Sequence, residues 1–253
     1  YYWGYHNNDP KQVFQSSLSY TQVMDTAPGD LGPMLAFRLN GHPIPLERGG
    51  PVRMIVPWAY GFKSIKWLQR IVLTNEYRAM DTYALNNNDP ESYLKTAAYI
   101  DGNDGNDVNT RAGQPIVMTG AVMVGLPGLK RVEYWLRPDQ GTHGRLAEDD
   151  PAWRTARWRA CEVLPPPRDW GGTLPQGVLP RDVWGFDPKT GRPREWPMRY
   201  SWGLWSADLG KLPAGNYEFR IRSVDANDFP QPEPRPYPKS GRNDVQVKLI
   251  TVT

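Results

Sequence analysis

The sequence predicts a mainly β protein, with an α+β N-terminal part followed by an antiparallel β-sandwich. Two observations carry that expectation. The 26 Pro and 24 Gly punctuate the 253 residues too often for long helices. The second half also runs through six short alternating segments: "QPIVMTGAVMVG", "LKRVEYWLRP", "WRTARWRACEV", "RYSWGLWSADLG", "GNYEFRIRSVDAND" and "DVQVKLITVT". Turns separate them and no helical period intervenes, which is the pattern of a sandwich.

The elements follow in order. The chain opens "YYWGYHNNDP", with no initiator Met, no basic n-region and no apolar h-region. Four aromatics in five residues suit the middle of a buried strand. Tyr1–Asn7 is therefore expected as a strand of a mixed sheet, in a C-terminal piece of a longer protein cut inside a domain. "MLAFRLNG" (34–41) reads as a strand entering a turn. "VRMIVP" (52–57) and "KWLQRIVLT" (66–74) read as strands flanking the Gly- and Pro-shaped loop "PWAYGFKSIK". Residues 86–109 are polar and turn-rich, a domain connection with at most one short helix. The expected domains are 1–105 and 106–253. The insert at 164–197 is long for a sandwich loop, and loops of that length are usually functional, disordered or packed against a partner.

Composition removes several function classes. Hydrophobic content of 39% and a charged fraction of 23% fit a globular protein rather than a disordered chain. No apolar run approaches the roughly 20 residues that cross a bilayer. The net charge of +3 comes from 30 basic and 27 acidic residues that alternate along most of the chain, so no nucleic-acid footprint stands out. A single Cys, Cys161, excludes an internal disulfide framework and a Cys-rich metal site. His6, His42 and His143 are too widely spaced for a helical zinc motif.

"LNGHPIPLERGGPVRMIVPWAYGFKSIKWLQRIVLT" (39–74) resembles the second half of the molybdopterin domain of the sulfite oxidase family. That family reads NG-x-PLP-x-x-HG-x-P-x-R, an apolar run, P-G-x-x-G, and a segment ending V-K-W-L before a strand. "GAVMVGLPGLKRVEYWL", "LPAGNYEFRIRSVDANDFPQP" and the terminal "NDVQVKLITV" are similar, in order, to the family's dimerisation domain. The resemblance implies part of a sulfite-oxidase-type mixed α/β domain followed by an immunoglobulin-like β-sandwich. It also implies a molybdenum–molybdopterin cofactor and oxo transfer to a sulfur-containing anion. Electrons would leave to a haem acceptor of the cytochrome type, from a homodimer in the periplasm.

A pyranopterin carries a dianionic phosphate and a polar ring edge, and a Gly- and Pro-shaped loop presents backbone donors and acceptors to such groups. Carried over position by position, the resemblance makes Arg53, Ser64, Ile65 and Lys66 the cofactor contacts. Arg48 stands where the family has His, and Arg also suits an anion. His6 takes the place of an Asp that contacts the pterin. Tyr83, in "YRAMDTYALN", is the candidate active-site Tyr, and Arg242, in "KSGRND", the candidate substrate-binding Arg. Each has a plainer reading: Arg53 as a surface arginine, Lys66 lying along the Trp67 face, Ser64 shaping a turn, Tyr83 as a packed tyrosine, Arg242 in a solvated turn.

The family binds its metal through a Cys in an N-terminal part of the same domain. Cys161 lies in an alternating segment far downstream and reads as a small buried hydrophobe, so no residue here is assigned to the metal. Two other function classes stay open. One is a non-enzymatic interaction sandwich with a vestigial pterin loop. The other is a carbohydrate-binding sandwich, suggested by the eight Trp from Trp135 to Trp205.

Overall fold

A computed structural model describes residues 1–5, 13–76, 92–102, 107–139, 146–147, 150–168, 183–231 and 243–253. The protein is mainly β, as the punctuation and alternation predict. It divides into two compact units, the first carried by Tyr1–Leu94 and the second by most of the chain from Lys95 onward.

In the first unit the aromatic opening is a strand. Strand β1 (Tyr2–Tyr5) lies at the centre of a three-stranded sheet, between β2 (Val13–Ser16) and β7 (Leu68–Ile71). Among the described residues this sheet pairs antiparallel throughout, not in the mixed fashion expected. Tyr2 is only 3% exposed. Helix α1 (Tyr20–Met24) starts at a capping box, with the Ser19 hydroxyl accepting from the Gln22 amide and the Gln22 side chain accepting from the Ser19 amide. The strand expected over 34–41 is broken in two. Strand β3 (Met34–Ala36) pairs with β6 (Arg53–Ile55). Strand β4 (Arg38–Leu39) turns through Asn40–Gly41 into β5 (His42–Pro43).

The second unit is two sheets that share one core. Its strands are β8 (Ala97–Ile100), β9 (Val108–Thr110), β10 (Pro115–Met123), β11 (Leu129–Pro138), β12 (Arg159–Ala160), β13 (Glu162–Val163), β14 (Trp202–Lys211), β15 (Gly215–Asp225) and β16 (Gln246–Val252), with helix α2 at Pro151–Arg154. One sheet has the order β13-β14-β10-β8 and the other β12-β11-β15-β16-β9. Inward residues of both meet in a single cluster that includes Met118, Val122, Trp205, Tyr134, Phe219, Ile221 and Ile250. Trp205 is fully buried, stacks on Phe219, and donates its indole N–H to the carbonyls of Tyr99 and Ala121. The inward side of the long strands is mostly apolar at every second residue, as in Val132, Tyr134 and Leu136 of β11.

Two parts of this unit differ from the expectation. The connection read over 86–109 contains β8 and β9, whose short "TAAYI" and "DVNT" segments are too brief to show a period. "WRTARWRACEV" is not one strand. It ends α2, and its last residues split between β12, paired with β11, and β13, paired with β14. The chain crosses from one sheet to the other at Cys161, whose amide still donates to the Val132 carbonyl.

Glutamine side chains close the seam along β8. The Gln231 carboxamide oxygen accepts from the Ala98 amide at 2.8 Å, and that of Gln246 from the Ile100 amide at 2.7 Å. An edge strand's outward N–H groups otherwise invite pairing with another chain. The outer face of the five-stranded sheet is ionic and buried. Glu218 accepts from Arg220 Nε at 2.6 Å and from Arg137, and Glu133 accepts from Arg222 Nε at 2.6 Å. The Arg222 guanidinium lies 4.0 Å from the Trp158 ring centroid. Burial pulls its pKa down against the upward influence of Glu133.

Candidate functional site

The loop between β6 and β7 is held on both sides by main-chain hydrogen bonds. Residues 49–54 and 65–68 run side by side: the Met54 amide donates to the Ile65 carbonyl at 3.0 Å, that of Trp67 to Gly49 at 2.8 Å, and that of Leu68 to Val52 at 3.0 Å. The arc between them is anchored at its far end. Tyr60 donates to Ser92 and Leu94 to Trp58, and the buried Trp58 ring packs 4.9 Å from that of Tyr93. A 3-10 turn at Gly61–Lys63 brings the chain back.

The approach to β6 is a second turn, Leu46–Arg48, closed by Gly49 at φ +94°. That region favours glycine. A Cβ on Gly49 would also lie 2.6 Å from Lys66 Cγ, so glycine lets the Lys66 stem cross the turn. The Lys66 ammonium then sits 5.5 Å from the Trp67 ring centroid, and the Trp67 indole donates to the Leu46 carbonyl at 2.7 Å.

Five of the residues singled out from the sequence gather on this frame. Arg53 is half-buried and donates Nη1 to the Arg48 carbonyl at 3.1 Å, while its Nε is buried without a hydrogen-bond partner. Arg48 and Lys66 have exposed side chains on the adjoining segments. The Ser64 hydroxyl accepts from the Val56 amide at 3.0 Å and so shapes the loop. Ile65 is 1% exposed, which leaves its side chain as an anchor in the core of the unit. His6, Tyr83 and Arg242 lie outside the described residues.

Sequence reasoning passed over Tyr2, Gly4 and Lys63. Lys63 is 1% exposed, its ammonium donates to the Ser17 carbonyl at 2.9 Å, and its own carbonyl accepts from the Tyr2 hydroxyl at 2.8 Å. Lysine is almost never fully buried, so nothing in "GFKSIK" signals it.

Residues 1–81 match the family described as oxidoreductase molybdopterin binding domain. The resemblance read from residues 39–74 is borne out. The chain is similar to a nitrate reductase [NADPH] of Fusarium oxysporum, 37% identical over 67 residues, covering 26% of this chain and 7% of the relative. It is similar to a mitochondrial sulfite oxidase of Macaca fascicularis, 34% identical over 71 residues, covering 28% of this chain and 12% of the relative. A third relative is the protein-methionine-sulfoxide reductase catalytic subunit MsrP of Gluconobacter oxydans, 50% identical over 40 residues, covering 16% of this chain and 13% of the relative. The chain spans only about a tenth of the length of the curated relatives it matches, 7% for the first and 13% for the third.

The cofactor of this domain is molybdenum–molybdopterin. The donor set in the loop fits its anionic end. A buried guanidinium N–H with nothing to donate to costs about 1–3 kcal/mol. Arg53 holds such a donor, which a phosphate would relieve by accepting it, and Arg48 and Lys66 on the adjoining segments add positive charge to the same frame.

Cys161 is chemically remote from metal binding. It packs against the sandwich core, and burial, with Glu133 adding to it, pushes its thiol up to about 12. Metals take the thiolate, which such a thiol rarely supplies near neutral pH. Among the described residues no group of three or more His, Cys, Asp or Glu is placed to hold a metal ion.

Proposed function

We propose that this chain forms the pterin-holding part of a molybdenum-cofactor oxidoreductase whose substrate is a sulfur-containing anion. The single observation that carries the reading is the unpaired Nε of Arg53, on strand β6 of a molybdopterin-binding segment whose adjoining residues include Arg48 and Lys66. Arg53 binds the cofactor phosphate by its planar fork and Lys66 adds a point charge beside it. Arg48 widens the cationic surface. Ser64 and Ile65 hold the loop in shape and present its main chain to the pterin edge. When bound, the cofactor supplies two-electron oxo transfer, with water as the oxygen source and two electrons passed on.

Further parts of the reading rest on the resemblance to sulfite oxidases. Tyr83 assists proton or electron movement, and Arg242 gathers the anionic substrate. Electrons go to a haem protein of the cytochrome type. The second unit pairs with a second copy of the protein, and the enzyme works in the periplasm.

The test uses the full-length protein that contains this chain. The Arg53→Ala variant should carry at least threefold less molybdenum and pterin per chain than the parent, by elemental analysis and by fluorescence of the oxidised pterin. Unfolding of the second unit should be unchanged. Full molybdenum content in Arg53→Ala would overturn the assignment.

A further inference from the structure

The β1–β2 sheet reaches the loop from beneath at three points. The Tyr2 hydroxyl, on a side chain 3% exposed, donates to the Lys63 carbonyl at 2.8 Å. The Lys63 ammonium donates to the Ser17 carbonyl at 2.9 Å, just past the end of β2. Gly4 presses its backbone against the next residues: a Cβ there would lie 2.2 Å from the Lys66 carbonyl oxygen and 2.7 Å from that of Trp67. The β1–β7 register shifts at this place, between Trp3 and Gly4.

We propose that Tyr2, Gly4 and Lys63 are positioning residues, which fix the segment Ser64–Lys66 for its contact with the cofactor. The inference rests on the functional reading above and deepens it. An apolar side chain of similar length would fill the Lys63 site with less desolvation. What the ammonium adds is direction, because a bond to a fixed carbonyl holds residue 63 at one point in space. The tyrosine hydroxyl holds the same residue's carbonyl from the neighbouring strand. Gly4 sets the height of the carbonyls at 66 and 67, and no larger residue fits without moving them. Ser64, Ile65 and Lys66 lie between those fixed ends. Binding sites need their contacts held within about 0.5 Å, and that precision comes from supporting residues beneath the contact layer.

The test compares Tyr2→Phe, Lys63→Met and Gly4→Ala with the parent, in the full-length protein. Two readouts are taken: amide hydrogen exchange with the cofactor removed, and molybdenum and pterin content with it present. Exchange at 61–67 should rise at least tenfold, with the β1–β2 pairing of Tyr2–Tyr5 and Val13–Ser16 unaffected. Occupancy should fall at least threefold. Exchange that rises equally across the whole sheet marks a merely structural role and overturns the proposal, as does unchanged exchange at 61–67. Looser exchange with full occupancy overturns it as well. Where Lys63→Met or Gly4→Ala fails to fold, Tyr2→Phe decides, since it removes one oxygen atom and leaves the ring in place. A parent protein that takes up no molybdenum refutes the functional reading, and exchange alone then judges the clamp.

Discussion

The two units hold their shapes by different means. In the second, β10, β11, β14 and β15 run 9 to 11 residues each, and their inward sides bury one another. In the first, among the described residues, the strands run 2 to 4 residues and the helix 5. Its loop is fixed by carbonyls and amides, by a serine hydroxyl, and by backbone that only glycine permits. Large apolar side chains stay exposed in both units, among them Tyr20, Phe37 and Leu73 in the first and Trp202 and Phe229 in the second. The contrast teaches where a substitution will be felt. In the sandwich it should cost stability. In the loop it should cost position, and so ligand binding, with little change in unfolding.

The hardest blow to the sandwich is at Trp205. Trp205→Ala removes a fully buried ring stacked on Phe219 together with its two hydrogen bonds. The expected loss is about 3–5 kcal/mol, read from denaturant unfolding of the second unit. A loss below about 1 kcal/mol would break the contrast, because it would show a unit not held by its core.

Cys161 gives the next effect, as reactivity. Its thiol is raised from 9.0 to about 12, chiefly by burial and then by the Glu133 charge. At pH 8 the folded protein should hold on the order of a thousandfold less thiolate than the unfolded chain, with iodoacetamide reacting correspondingly more slowly. The sign for stability follows. The folded state keeps its proton where the unfolded chain loses it, so the contribution is whole below pH 9.0 and is lost as pH rises toward 12. Cys161→Ala should remove that part of the alkaline loss. Native alkylation as fast as in urea would place the thiol outside the crossing between sheets.

How much could be read beforehand differs between the units for physical reasons. Long alternating runs such as "GNYEFRIRSVD" declare themselves, because period-2 burial must repeat over many residues to make a core. Strands of two to four residues cannot repeat, so β8, β9, β12 and β13 were hidden in text that reads as connection or as one strand. In the loop, the Gly and Pro spacing and the cations were legible, since turns and phosphates constrain residue type. Lys63 and Gly4 were not. What makes each of them special is a carbonyl far away in the sequence, Ser17 for one and Lys66 for the other.

Gln231 tests the seam, a polar device beside the apolar core of the second unit. Its side-chain oxygen accepts from the amides of Ala98 and Ser223, and its nitrogen donates to the Asp244 carbonyl. Gln231→Leu keeps the bulk and orphans those buried groups. The expected loss is about 1–3 kcal/mol. Exchange at the Ala98 amide should rise with it. If stability fell and that amide stayed protected, another acceptor would be serving the edge of β8.

The smallest change in stability should come from Lys66, and it sharpens the contrast most. Its side chain is exposed, its stem crosses Gly49, and its ammonium lies over the Trp67 ring. Lys66→Met keeps the stem and deletes the charge. An exposed cation–π contact contributes only about 0.5–1 kcal/mol, and methionine's sulfur recovers part of that against the same ring. Unfolding of the first unit should therefore move by less than about 1 kcal/mol. Molybdenum and pterin content should nonetheless fall at least twofold, because a point charge beside a phosphate is lost. A variant equally stable and fully loaded would assign Lys66 to the Trp67 face alone and leave Arg53 and Arg48 as the anion's partners. A variant much less stable would show that the loop, like the sandwich, is held by its side-chain packing.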